Sequence, residues 1–365
     1  MARRHVLIAG ASGLVGYAAL KHFTAQPETD VTVISRRSPP AINGARFVSI
    51  DLSDPARCAE AAAALADVTH VVYAAVYEKP GLVAGRLERD HTETNGQMLV
   101  NLMEPLLRAA RHLRHVTLLQ GTKAYGIHVR RFPVPAREGR SEAHDQHSFY
   151  WVQEDYLRER QQGQPWSWTI FRPQLIFGES VGSAMNLIAA LGVYAALARE
   201  SGQLFSYPGG ATAVWEATDS GLLARAIDWA GESDAAANEV FNITNGDVFV
   251  WENLWPAIAE SLGTGIGEPR RTSLAKTIPP QAAAWDRIRA RHDLKAPALA
   301  DFVGQSLHFA DYILGYDRDE DGFTPLVSTV KIRQAGFHEA MDTEAMMCGW
   351  FRTFQMHGLL PPPGG

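Results

Sequence analysis

The stretch "HVLIAGASGLVG", residues 5–16, constrains the fold more than any other part of the chain. A β-branched apolar run enters a turn carrying Gly10, Gly13 and Gly16 in G-x-x-G-x-x-G spacing, and an amphipathic pattern leaves it from about Leu14. In such a strand-turn-helix unit the first glycine permits the tight turn, the second lets the backbone approach a pyrophosphate, and the third lets helix and strand pack closely. The helix N-terminus then faces the phosphates. The motif therefore predicts a dinucleotide site, with Ser12, Leu14 and Val15 among its contacts.

The pattern beyond the turn repeats the unit. "VTVISR" and "RFVSID" read as strands, followed by an Ala-rich helix from about Asp54 and the strand "HVVYAA". A helix from about Asp90 to His112, the strand "HVTLLQG", a helix near Ser148 to Gln161 and the strand "WSWTIFRP" complete the series. This alternation predicts an α/β fold, a Rossmann-type doubly wound parallel sheet with ligands at the carboxyl ends of its strands. After Gly178 the alternation loosens. Residues 1–178 are expected to form the dinucleotide-binding domain, and 179–365 mainly a smaller, partly helical substrate lobe with some segments returning to the sheet. Within the second part, "MNLIAALGVYAALA" (185–198) is too short for a bilayer and predicts a buried helix. "AKTIPPQAAAW" reads as a loop and the terminal "PPPGG" as a frayed tail.

Composition excludes several classes. Apolar residues at 46% and charged residues at 20% are those of an ordinary globular chain, neither disordered nor fibrous. A net charge of −6 gives no footprint for nucleic acid, so the expected partner is a small molecule, with no membrane involved. Cys58 and Cys348 are too few and too scattered for disulfides or zinc, and the N-terminus lacks the apolar stretch of a signal peptide, which together predict a cytoplasmic setting. The histidine pairs of "HDQH" (144–147) and "HLRH" (112–115) have no third ligand nearby, and no metal is expected. The acidic run at 317–321 reads as a solvated loop.

Cofactor choice is read at the tip of the second strand. There, roughly 20 residues past the glycine loop, an enzyme for NAD carries Asp or Glu to hold the ribose 2′-hydroxyl. This chain has "ISRRS" instead. Ser35 can bond a 2′-phosphate and Arg36 and Arg37 can give charge-assisted contacts to it, which predicts NADPH; the alternative is two arginines solvating a loop. Asp51 is expected to reach the adenine amino group and Leu52 to pack near the ring. Ala74, Ala75 and Val76 end the fourth strand where the cofactor backbone passes.

Enzymes on this scaffold usually carry a Y-x-x-x-K pair. The one instance here, Tyr17 to Lys21, begins inside the helix after the glycine loop and is explained by helix packing and a solvated lysine. A second arrangement lies in "QGTKAYGIHVRRFPVPAREGRSEAHDQHSFYWVQEDYLRER", residues 120–160. Gln120 and Lys123 stand just past the fifth strand, and Ser148 as N-cap starts a helix with Tyr150 in its first turns. Tyrosine and lysine can thus converge on one strand edge from two elements.

"TKAYG" followed by "SFYWVQEDYL" resembles the motifs of the progesterone 5β-reductase/iridoid synthase-like family of extended short-chain dehydrogenases/reductases. "WSWTIFRPQLIFGES", "MNLIAALGVYAALA", "NEVFNITNGDVFVWENLW" and "STVKIRQAGFHEAMDTEAM" are similar to further family segments in the same order, so the likeness covers nearly the whole chain. The resemblance implies that Lys123 and Tyr150 form the working pair. It also implies NADPH-dependent 1,4-reduction of enones and enals: hydride to the β-carbon, Tyr150 stabilising the enolate oxygen, Lys123 supporting Tyr150 and the cofactor. Pro173, Gln174 and Ile176 would line the nicotinamide side, Phe149 and Met185 are candidate pocket residues, and a homodimer is a common assembly in such enzymes.

The chain departs from the family's T-G-R-K-H-Y with "QGTKAYG", has Ser148 where Asn is usual and Trp151 as the second aromatic after the tyrosine, and carries a distinct loop at 126–147. These departures bear on substrate identity, and the long loop is expected to carry substrate choice. A carbonyl reductase or epimerase on the same scaffold, and a non-catalytic NADPH-binding sensor, remain the alternatives.

Overall fold

The computed structural model describes residues 3–39, 44–79, 89–210, 213–319 and 323–364. Two compact units are distinguished, the first comprising Met1–Gln174, Ser220–Thr244 and Val327–Glu339, the second Leu175–Asp219, Asn245–Leu326 and Ala340–Gly365.

The first unit is built on β1 (Arg4–Ala9), β2 (Thr29–Ser35), β3 (Ala45–Ser49), β4 (His70–Tyr73), β5 (His115–Leu119) and β6 (Ser167–Pro173). A strand from much later in the chain, Glu239–Ile243, completes a seven-stranded sheet by pairing with β6. Taking the later strands in chain order, β7 (Ile176–Phe177), β8 (Phe205–Ser206), β9 (Thr218–Asp219) and β10 (Glu239–Ile243), the sheet runs β10-β6-β5-β4-β1-β2-β3, and all its pairs are parallel. The order reverses between β1 and β4, the switch point where such sheets bind ligands at the carboxyl ends. Because helices cover both faces, the central strands are apolar throughout: Val6, Leu7, Ile8 and Ala9 of β1 are all buried.

The helices begin where the sequence offers caps. The first, α1 (Leu14–Thr24), has Gly13 at its N-cap; α2 (Pro55–Ala62) starts on Pro55 with Asp54 Oδ1 accepting from the N–H groups of Ala56 and Arg57 at 3.0 and 3.1 Å. After α3 (Arg89–Ala109), α4 (Phe149–Gln161) opens on Ser148, whose hydroxyl accepts from Tyr150 N–H at 3.3 Å.

As an edge strand, β10 would expose unpaired backbone groups. They are covered: Asn242 N–H donates to Glu138 at 2.6 Å and the Val240 carbonyl accepts from Lys331 Nζ at 2.8 Å. Glu138 belongs to the long loop after β5. Burial pushes its carboxyl above the usual range, only partly offset by the Asn242 N–H.

At the opposite, amino-terminal end of the sheet, His70 and His115 are neighbours in register on β4 and β5 and both are buried. Burial, reinforced by Arg4, pushes His70 down to about 4; burial, reinforced by His70, pushes His115 down to about 3. Asp228 sits near them, where burial is outweighed by His22 and Arg4, which hold its carboxyl at about 2. A histidine whose folded pKa lies below its unfolded value of 6.5 takes up its proton first in the unfolded chain, so stability falls as pH drops below 6.5. At about pH 5 the loss is expected to be on the order of 2 kcal/mol for each histidine. Denaturant midpoints at about pH 7 and pH 5 measure it; equal midpoints would contradict it.

The second unit contains β7 paired with β9, β8 paired with Ile266–Gly267, and mostly helices. The apolar segment 185–198 folds as α5 (Leu187–Glu200), buried along most of its length and capped by Asn186, which accepts from Ile188 and Ala189 N–H. Phe205 stacks on Trp255 at 4.3 Å and Trp285 on Phe302 at 5.6 Å. Two local expectations are corrected. Pro279 and Pro280 open a helical turn leading into the helix Ala282–Arg291, because proline suits a first turn where its missing N–H has no partner to lose. The C-terminal prolines are docked: the Pro362 carbonyl accepts from Arg199 Nη2 at 3.1 Å, and Pro363 and Gly364 pack so closely on Gly263 that a Cβ there would lie 2.6 and 2.5 Å from them. Of the acidic run, Glu320 and Asp321 lie outside the described residues. No described helix is long and apolar enough to cross a membrane.

Candidate active site

The glycine loop joins β1 to α1 at the switch point. Gly10 has φ +89°, and a Cβ there would lie 2.7 Å from the backbone of Ala74 and Ala75 at the tip of β4. At Gly16 a Cβ would lie 2.2 Å from the Gly10 carbonyl oxygen. Both glycines are demanded by the protein itself. Gly13 is different: its φ of −89° suits any residue and an added Cβ would meet only the Gly10 oxygen, at 3.6 Å. Its side of the loop is open, no side chain caps the helix behind it, and the first turn of α1 holds no acidic residue. An uncapped, acid-free helix start beside an open backbone fits a pyrophosphate.

Around this cradle, Ser12, Ala74 and Ala75 are partly exposed and Val76 exposed, whereas Leu14 and Val15 are buried. At the end of β2 the Ser35 hydroxyl donates to the Arg37 carbonyl at 2.5 Å, tightening a turn from which Arg36 and Arg37 reach solvent. Asp51 is exposed just past β3. Bonds from Ser53 N–H and hydroxyl, with Arg36 nearby, outweigh its partial burial and hold its carboxyl below the usual range. Leu52 is only 4% exposed and packs in the core of the unit, so it presents little side-chain surface to a ring.

The second constellation lies at the carboxyl ends of β5 and β6. After β5, Gly121 leads into a short turn, Thr122–Tyr125, that carries Lys123. Tyr150, in the first turn of α4, has its hydroxyl oxygen 3.3 Å from where a Cβ on Gly121 would stand, and the Pro173 carbonyl lies 3.5 Å from the same point. The tyrosine hydroxyl therefore rests against the β5 tip, beside the end of β6 and two residues from Lys123. Phe149 packs edge-on against Tyr150 at 4.7 Å and against His91 at 5.4 Å. Gln174 is buried in the same unit; Ile176, opposite Thr218, and Met185, just before the α5 cap, belong to the second unit. Tyr17 and Lys21 pack on each other along α1, with Nζ 5.1 Å from the ring centre.

Behind Tyr150 is a buried polar hub that takes up Gln120, expected from the sequence as a cofactor contact but only 5% exposed, and centres on Arg172, which no sequence motif marks. Arg172, 1% exposed, donates from Nε to Gln120 at 2.7 Å, from Nη1 to Glu142 at 2.8 Å and Tyr125 at 3.3 Å, and from Nη2 to Glu154 at 3.4 Å. Gln120 in turn donates to Glu154 at 3.0 Å and to the main-chain carbonyl of Tyr150 at 3.2 Å. Burial alone would raise Glu142, but the Gly139 N–H and the Arg172 guanidinium hold its carboxyl below the usual range. Tyr125, pushed up to about 12 by burial and only partly offset by Arg172, stays protonated and donates to Asn242 at 2.6 Å. The available signal was an arginine inside the otherwise apolar "WTIFRP", a charge that burial tolerates only with partners. Among the described residues no three His, Cys, Asp or Glu are grouped to hold a metal.

Comparison with known proteins fits this geometry. The family described as the NAD dependent epimerase/dehydratase family matches residues 6–244, from the glycine loop to the end of β10. The chain belongs to this family. Its similarities lie in the progesterone 5β-reductase/iridoid synthase-like branch of these extended short-chain dehydrogenases/reductases. It is 31% identical to an (S)-8-oxocitronellyl enol synthase of Nepeta racemosa over 85% of this chain and 82% of that protein. It is 30% identical to a 3-oxo-Δ(4,5)-steroid 5β-reductase of Arabidopsis thaliana over 97% of this chain and 92% of that one. Among solved structures, the NAD complex of UDP-glucose 4-epimerase from Thermus thermophilus shares the fold, with a TM-score of 0.66 at 17% identity over 96% of this chain and 99% of that one. The protein is accordingly an oxidoreductase using a nicotinamide cofactor.

For this family member the glycines separate binding from folding. Gly13→Ala is expected to leave the thermal midpoint nearly unchanged and to weaken binding of the reduced nicotinamide cofactor roughly tenfold or more, the equivalent of one lost charge-assisted contact. Gly16→Ala is expected to cost roughly 1–3 kcal/mol of stability through its backbone clash. Titration of cofactor fluorescence and thermal melts distinguish them; a Gly13→Ala protein that binds the cofactor normally would contradict the assignment.

Proposed function

We propose that the protein catalyses NADPH-dependent 1,4-reduction of activated C=C bonds in small enones or enals. The observation that carries this reading is the Tyr150 hydroxyl resting at the β5 tip, against Gly121 and two residues from Lys123, on a scaffold whose usual Y-x-x-x-K is absent from that edge. The names of the relatives support it: one pairs a 3-oxo group and a Δ4,5 double bond with reduction at carbon 5, the other forms an enol.

Bound at the glycine loop, NADPH would supply the hydride. As the β-carbon gains that hydride, negative charge grows on the substrate carbonyl oxygen, and Tyr150 donates a hydrogen bond to it as an oxyanion-hole group does. The resulting enolate takes its proton at the α-carbon in a later step. Lys123 would hold the cofactor's ribose and support the tyrosine. Arg36 and Arg37, at a β2 tip that carries Ser35 where an NAD enzyme carries Asp or Glu, would hold the 2′-phosphate, with Ser35 shaping their turn. Replacing both arginines with alanine is expected to raise the KM for NADPH by roughly 10²-fold while changing that for NADH little; equal effects on both cofactors would contradict the preference.

The reaction class is tested by incubating the protein with NADPH and either an enone or its saturated ketone. Oxidation of NADPH with the enone alone is expected. Oxidation with the ketone alone would make it a carbonyl reductase, and binding without turnover across a broad enone panel would make it a sensor; either result overturns the reading.

A further inference from the structure

Where tyrosine and lysine share one helix, a single helical turn fixes their separation. Here they come from two elements 27 positions apart in sequence, Lys123 and Tyr150, so something non-local must hold them in register. The Glu142–Ala143 segment of the long loop touches both. Ala143 N–H donates to the Ala124 carbonyl, next to Lys123, at 2.8 Å, and the Ala143 carbonyl accepts from the Trp151 indole, next to Tyr150, at 3.2 Å. Glu142 pairs with Arg172, which orients Gln120, which bonds the Tyr150 carbonyl. The contacts close a ring: Lys123 turn, Ala143, Trp151, Tyr150, Gln120, Arg172, Glu142. Trp151 is further fixed by Arg172, 5.6 Å from its ring centre, and by His144, whose ring lies tilted against it at 4.1 Å.

We propose that Glu142 and Trp151 are positioning residues whose task is to set the spacing between Lys123 and Tyr150 through the Ala143 peptide. The proposal rests on the reading of Tyr150 given above. It also assigns this part of the loop to geometry: Ala136, whose carbonyl accepts from Ser328 N–H at 2.8 Å, and Glu138, bound to Asn242, anchor it along β10.

The test uses Trp151→Phe, which keeps the ring and removes the indole donor, and Glu142→Gln, which keeps the shape and removes the charge. Each is made in the full chain, with Tyr150 intact and in a Tyr150→Phe background. With Tyr150 intact, each is expected to lower kcat for enone reduction by roughly tenfold, within the range a displacement of about 1 Å produces, with NADPH binding unchanged. In the Tyr150→Phe background the same changes are expected to alter the residual kcat less than about twofold, because the group they position is gone. A merely structural role would give the same loss in both backgrounds and overturns the proposal, as does an unchanged kcat in both variants. If Tyr150→Phe alone keeps full activity, the functional reading of Tyr150 fails and the positioning role with it. If Tyr150→Phe is impaired while Glu142→Gln and Trp151→Phe are not, the positioning role alone fails.

Discussion

Replacing Tyr150 with phenylalanine is expected to lower kcat for enone reduction by about 10²–10³ while leaving NADPH binding within about twofold. The size follows from removing one preorganised donor aimed at a developing oxyanion, about 2.7–4 kcal/mol, at 1.36 kcal/mol per tenfold in rate. The direction follows from where the ring sits. The substituted ring keeps its edge-on contact with Phe149, and Ser148 still caps the helix through the residue 150 N–H, so the local fold has no reason to change. Only the hydroxyl at the β5 tip is lost. If, as proposed, that hydroxyl acts on charge that appears as the hydride moves, the loss falls on kcat rather than on cofactor affinity. Steady-state rates with a saturating enone, beside NADPH titrations, make the comparison; an unchanged kcat would remove Tyr150 from the mechanism.

Arg172→Met should have the largest effect on stability, a loss of about 3–5 kcal/mol, since breaking a buried ion pair leaves uncompensated charge behind. Two carboxylates face that guanidinium. Glu154 retains Arg158, which donates to it at 2.7 Å, but Glu142 keeps only main-chain N–H donors, those of Gly139 and its own residue. The sign of the pH dependence follows. In the native protein the Glu142 carboxyl is held below its unfolded value, so its contribution is present above that value and is lost as pH falls. In the variant, burial dominates and the carboxyl rises above its unfolded value, which destabilises the fold near neutral pH and progressively less as the pH falls and the group protonates. The stability gap between the two proteins is therefore expected to narrow between about pH 7 and pH 5. Denaturant titrations of both proteins across that range provide the measurement, and a gap that widens would contradict the account.

How far the sequence spoke depends on whether a feature is local. The glycine loop, the strand-helix alternation and the Ser148 cap are each written within a few residues, and the structure has the helix starts at Leu14 and Phe149 where the patterns put them, while the helix expected to reach His112 ends at Ala109. The proposed convergence of Lys123 and Tyr150 on one edge rests on two local facts, a strand end and a helix start. Strand pairing is not local: "NEVFNI" reads as a strand, but nothing in it says that its partner is β6. The Arg172 hub is hidden for the same reason. Glu142 in a polar loop looks like any solvated acid, and only the fold brings it to a buried guanidinium. Pro279 and Pro280 show the reverse error, a composition suggesting a loop where proline instead opens a helix. In the long loop after Lys123, expected to carry substrate choice, Ala136, Glu138, Glu142 and Ala143 bond to neighbouring elements that the sequence does not name.

In the proposed reaction hydride goes to the β-carbon of a conjugated carbonyl. NADPH carrying deuterium at the transferred position of the nicotinamide, turned over with a simple enone, tests it in one step by magnetic resonance of the product. The expected product is the saturated ketone with deuterium on the β-carbon. Deuterium on a carbinol carbon, with the double bond intact, would contradict the claim.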